Sequence, residues 1–255
     1  MLPTSLAVLS LLAPLPVSPA PQSSSATAAS SQTLELLDVF ELELASDPQI
    51  APDGTEVVYV RNSMDAMKDR RRSALWIADV ETGDHRPLTM AGDAATSASS
   101  PRWSPDGTRL AFVSSSSGSS QIHVRWMDTG QEARLTSLSS GPSGLAWSPD
   151  GERLAFTMFV EDDAKPFVKA PKKPKGAEWA DPPKVITSMH YRADGRGYLK
   201  EGHRQLFVLH ADGGTPRQVT RGAFDVERGF SWTPDGASIV VSSNRREDLE
   251  AEPLD

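Results

Sequence analysis

Arg102-Trp-Ser-Pro-Asp-Gly-Thr-Arg-Leu-Ala-Phe-Val113 is the stretch on which the fold turns, because the chain writes its pattern four times. Gln49-Ile-Ala-Pro-Asp-Gly-Thr-Glu-Val-Val-Tyr-Val60, Ala146-Trp-Ser-Pro-Asp-Gly-Glu-Arg-Leu-Ala-Phe-Thr157 and Ser231-Trp-Thr-Pro-Asp-Gly-Ala-Ser-Ile-Val-Val-Ser242 align with it without a gap. Proline presets φ at the first central turn position, and Asp can bond nearby backbone. Gly then takes the left-handed conformation that sends the chain back. Each unit therefore predicts a β-hairpin. A large apolar residue (Ile50, Trp103, Trp147 or Trp232) ends the incoming strand. The outgoing run, such as Leu110-Ala-Phe-Val113, is apolar at every position, which predicts a strand buried on both faces.

A second repeated piece follows. Leu75–Val80 leads through Thr82-Gly83 to Arg86–Thr89, Gln121–Trp126 through Thr129-Gly130 to Ala133–Thr136, and Gln205–His210 through Asp212-Gly-Gly214 to Arg217–Thr220. Each reads as a strand, a Gly turn and a short outer strand. Two such hairpins make a four-stranded antiparallel meander, which is one propeller blade. The turn prolines stand at 52, 105, 149 and 234, giving intervals of 53, 44 and 85. The first two are near one blade, roughly 40–50 residues, and the third accommodates two blades or one with an insertion.

The expected architecture is all-β, a propeller of about three and a half blades over residues 34–255. The blades run about 46–90, 97–137, 141–220 with an insertion at 161–184, and 225–255 without an outer pair. Closed propellers use about 4–8 blades, so an incomplete ring, parted from further chain, is expected.

Composition limits the function. The net charge is −8 with a pI near 5.2, so the basic field that gathers nucleic acid is missing. With no cysteine there is no disulfide, thiolate nucleophile or cysteine-bound zinc. Residues 1–34 carry no charge, and Leu6–Val17 is an apolar run too short for a bilayer, which needs about 20 residues. A Ser/Ala-rich tract follows, with small-residue sites ending at Ala20 or Ala28. Residues 1–33 thus resemble a secretory signal peptide and trailing disordered segment, though the usual early Lys or Arg is missing. Export to the periplasm or outside the cell is the expectation.

Candidates for chemistry are few. The insertion carries Glu161-Asp-Asp163, then Lys165, Lys169, Lys172, Lys173 and Lys175 among prolines, and reads as a solvated loop or a flap over a working face. Arg70-Arg-Arg72 reads as a solvated cluster in a loop between two strands. No Gly-x-Ser-x-Gly elbow occurs, and His85, His123, His190, His203 and His210 show neither zinc nor triad spacing. No Asp-rich calcium loop or phosphate-binding Gly loop is present either. No catalytic, metal or cofactor residue is nominated, and no cofactor is expected.

From about Asp38 to Asp255 the chain resembles the N-terminal β-propeller of the prolyl oligopeptidase family of serine peptidases. The likeness is greatest to its acylaminoacyl-peptidase and dipeptidyl-peptidase-like branch. It is carried by Asp47-Pro-Gln-Ile-Ala-Pro-Asp-Gly54, Tyr191-Arg-Ala-Asp-Gly-Arg-Gly-Tyr198, Arg217-Gln-Val-Thr220 and Trp232-Thr-Pro-Asp-Gly236 leading into Ser242-Ser-Asn-Arg245. The Pro-Asp-Gly hairpin alone is shared with TolB-type periplasmic propellers. The resemblance implies a propeller that screens peptides for a Ser-Asp-His hydrolase domain, with peptide substrate as the partner through that domain. For the glutamate pair that binds the substrate amino terminus in some relatives no convincing match is found, Glu247 and Glu250 after Asn244-Arg245-Arg246 being too weakly placed to nominate. The alternative is a non-enzymatic TolB-like propeller that holds a protein partner on its face.

Overall fold

The computed structural model describes residues 35–89, 97–162, 171–180, 185–186, 188–227 and 229–245. The segment read as a signal peptide, Lys165 and Lys169 of the insertion, and Glu247 and Glu250 lie outside the described residues.

Each Pro-Asp-Gly unit joins the first two strands of a sheet. β1 (Leu44–Ile50), β2 (Glu56–Asp65), β3 (Arg70–Asp79) and β4 (His85–Pro87) form the first antiparallel meander. β5 (Ala98–Trp103), β6 (Arg109–Ser114), β7 (Gln121–Trp126) and β8 (Glu132–Arg134) form the second. The third is built from β9 (Pro142–Trp147), β10 (Arg153–Glu161), β13 (Gly202–His210) and β14 (Arg217–Gln218). Between β10 and β13 the chain leaves the sheet and forms a small hairpin of β11 (Arg192–Ala193) and β12 (Gly197–Tyr198). β15 (Phe230–Trp232) and β16 (Ile239–Val241) make a fourth, two-stranded sheet. The fold is thus all-β, an open array of propeller blades. Its first strands are neighbours: β5 lies against β1 and β9, and β9 against β15.

The all-apolar runs now have a physical explanation. Side chains alternate between the faces of a strand, so a strand between two blades must be apolar in both registers. Leu110 and Phe112 enter a core with Val58, Val60, Leu75 and Ile77 of the first blade. Ala111 and Val113 enter another with Leu154 and Phe156 of the third. Ala155, on the opposite face of β10, joins Leu206 and Val226 in a core completed by Trp232 and Ile239. Burying one such Phe or Leu side chain is worth roughly 1.5–3 kcal/mol.

One expectation is corrected. Arg70, Arg71 and Arg72 are not in a loop but open β3, paired with Asp65, Met64 and Ser63 of β2. The hairpin turns only at residues 66–69, because the ten-residue strands continue pairing past the core.

Candidate functional site

The first strands of the blades border an open cavity of about 530 Å³, lined by Gln49 and Ile50 of β1, Arg102 and Trp103 of β5, Leu145 to Trp147 of β9 and Phe230 of β15, among others. Its walls are held by a bond that recurs from blade to blade. The indole N–H of Trp103 donates to the Gln49 carbonyl at 3.1 Å, Trp147 to Arg102 at 2.9 Å, and Trp232 to Ala146 at 3.3 Å. The first strand of a blade is an edge strand with unpaired carbonyls, a liability in any sheet. Here the next blade's tryptophan covers one carbonyl per edge. This is why Trp, which has an apolar body and a single donor, recurs at that position.

The turns stack as well. The left-handed Gly107, Gly151 and Gly236 lie over Pro52, Pro105 and Pro149 of the preceding turns, close enough that a Cβ on each glycine would fall 3.5 to 3.6 Å from the proline ring. Arg109 sits over the Trp147 ring at 5.0 Å and donates to the Gly151 carbonyl at 2.9 Å. Arg153 repeats this one blade on, 4.9 Å over Trp232 and 3.0 Å from the Gly236 carbonyl. The first blade has Glu56 at that position, so the first joint has no such staple.

That joint is held on the cavity side instead. Arg102 Nη1 donates to both carboxylate oxygens of Asp47 at 3.0 Å. Asp47 reaches it from a bulge in β1 and has φ of 48°. Ser100 (φ 54°) and Gly144 (φ 67°) occupy the equivalent bulges of β5 and β9. All three stand five residues ahead of a turn proline. Sequence reasoning missed these bulges and the Asp47–Arg102 pair. The fixed offset of Asp47-Pro48, Ser100-Pro101 and Gly144 from the turns was the available signal.

The histidines are dispersed. His123 is buried in β7, with Nδ1 2.8 Å from Glu132 and its ring tilted against Phe112. His85 faces Tyr59 and Trp76, His203 pairs with Asp162, and His210 with Asp212. No serine is among these ring partners. Among the described residues no group of three or more His, Cys, Asp or Glu could hold a metal ion. The lining of the cavity includes one guanidinium, an amide, the residue Ser104 and aromatic walls.

Fold and repeat together define the class, a β-propeller, and residues 41–166 match the TolB beta propeller domain. The uncharacterized peptidase YuxL of Bacillus subtilis (strain 168) is 30% identical over 215 residues, 84% of this chain and 32% of that protein. The chain therefore spans about a third of the length of that curated relative. The Tol-Pal system protein TolB of Thioalkalivibrio sulfidiphilus (strain HL-EbGR7) is 39% identical over 83 residues, 32% of this chain and 18% of that one. Among solved structures, the acylaminoacyl peptidase of Pyrococcus horikoshii shares the fold with a TM-score of 0.57 at 19% identity, covering 82% of this chain and 29% of that chain.

Proposed function

We propose that this propeller screens peptides for an exported serine peptidase, admitting short chains along its first strands and holding folded ones back. The observation that carries this reading is the 30% identity to a peptidase across 84% of the chain. The inner-strand cavity supports it, since about 530 Å³ falls in the range of small-ligand sites and suits a few residues of extended peptide. Hydrolysis itself belongs, in this reading, to a domain with a Ser-Asp-His triad, and no residue of this chain is assigned to it. Export rests on the uncharged Leu6–Val17 stretch. The test is the coding sequence beyond residue 255. An in-frame Gly-x-Ser-x-Gly segment is the expected finding; further Pro-Asp-Gly blades followed by a stop would overturn the proposal.

That second outcome would favour a propeller that holds a protein partner on its face. The observation behind this alternative is the match of residues 41–166 to the TolB domain.

A further inference from the structure

We propose that the inner-strand cavity recognises a carboxylate on the peptide it admits, and that Arg102 is the recognising group. The inference rests on the screening role proposed above and specifies its substrate class. Arg102 is the one charged side chain among the residues lining the cavity. A single guanidinium nitrogen, Nη1, is engaged by Asp47 and by the Pro101 carbonyl. Nε and Nη2 have no hydrogen bond to any described residue, and the side chain keeps 30% of its exposure. A guanidinium edge made of Nε and Nη2 is the fork that receives a carboxylate through two parallel N–H bonds. Asp47 thus holds the group in one orientation while leaving its binding edge free, which lowers the ordering cost when a ligand arrives.

The rest of the lining favours the same class. Ile50, Trp103 and Phe230 share the lining of the cavity with Arg102. Their apolar atoms can accept the hydrophobic side chain next to the carboxylate. The opposite polarity, an amino terminus captured by Asp47, is disfavoured. Both Asp47 oxygens already accept from Arg102, one also accepts from Gln49, and Asp47 is not among the lining residues. Because Arg102 and Asp47 neutralise one another at long range, recognition comes from short-range hydrogen bonding.

The test is a titration of the 255-residue chain, followed through the indole N–H resonances of Trp103 and Trp147. Three probes are used: N-acetyl-phenylalanyl-alanine, its carboxamide, and N-acetyl-glutamyl-phenylalanine carboxamide. The free carboxylate is expected to shift both indoles and to bind roughly tenfold more tightly than its carboxamide. Arg102→Gln should remove that tenfold preference. If the third probe matches the first, any carboxylate serves; if it matches the carboxamide, the site reads a C-terminus. Equal binding of acid and carboxamide by the unmodified chain overturns the role of Arg102 while leaving peptide screening standing. Absence of any shift with all three removes peptide admission itself. The unmodified-chain comparison does not depend on the variant folding.

Discussion

Ser104, Ser148 and Thr233 stand two residues ahead of the turn aspartates, and their hydroxyls donate to Asp106, Asp150 and Asp235. Each hydroxyl also accepts the backbone N–H five residues on, from Arg109, Arg153 and Ser238 at 2.9 to 3.0 Å. The repeated Ser or Thr is therefore a clasp across the hairpin. Ala51 replaces it in the first blade, where Asp53 still accepts from Thr55 as Asp106 does from Thr108. Ser104 is fully buried, so Ser104→Ala leaves a backbone donor unpaired and should cost about 1–2 kcal/mol in urea unfolding. The same bonds hold the carboxyls of Asp106, Asp150 and Asp235 below their usual range, Ser104, Ser148 and Thr233 contributing most, and the bonds from Thr55 do so for Asp53. A carboxyl depressed in the folded state stabilises above the unfolded value, near 3.9, and loses that contribution as pH falls through the lower folded value. Stability should therefore drop on acidification below about pH 4, and Asp106→Asn should flatten part of that slope in pH-dependent denaturation.

Strands and their joints follow different rules. The strands were legible because alternation and turn chemistry act within a few residues: Leu110-Ala-Phe-Val113 announced two buried faces, and both are buried. The long reach of the β2–β3 hairpin was not legible, since Arg70 to Arg72 look like a loop until the pairing with Asp65 to Ser63 is seen. Joints depend on residues from two blades. Arg109 and Arg153 staple the second joint and the third, whereas Glu56 leaves the first to the Asp47–Arg102 pair. Glu56 also lies opposite Asp79 in the β2–β3 register, an unfavourable like-charge pairing. Glu56→Arg should remove that repulsion and place a guanidinium over Trp103. A gain of about 0.5–1 kcal/mol is expected, with slower hydrogen exchange at β1 and β5. Unchanged exchange there would show that the staple needs more than the arginine.

Across the whole molecule, the two outermost sheets differ in character. Beyond the first blade's core, Arg61 lies 4.3 Å over Trp76, His85 packs edge-on to Trp76, and Tyr59 reaches His85. That surface mixes aromatic rings with charge. The fourth sheet instead leaves Val240 exposed beside its short pair of strands. Among the described residues, neither surface nor the cavity is seen to assemble a nucleophile with a base and an orienting carboxylate, the constellation that acyl transfer requires. Purified chain 1–255 should therefore show no hydrolysis of peptide or ester substrates above the buffer rate; measurable turnover would expose a nucleophile on this chain.

The hairpins, the succession of blades and the doubly buried strands could all be read along the chain, because each depends on neighbours a few positions apart. Which residues share the cavity depends on how the blades pack. Asp47 and Arg102 are 55 positions apart, and Trp232 reaches a carbonyl 86 positions away. The Pro-Asp-Gly motif said that blades exist, and Trp at its head said that a large apolar residue was wanted there. That the indole would cap the preceding blade's edge, and that a bulge would bring Asp47 to Arg102, depends on how the blades pack. That packing is made by three cores whose residues come from different blades, and no short stretch of the chain contains it.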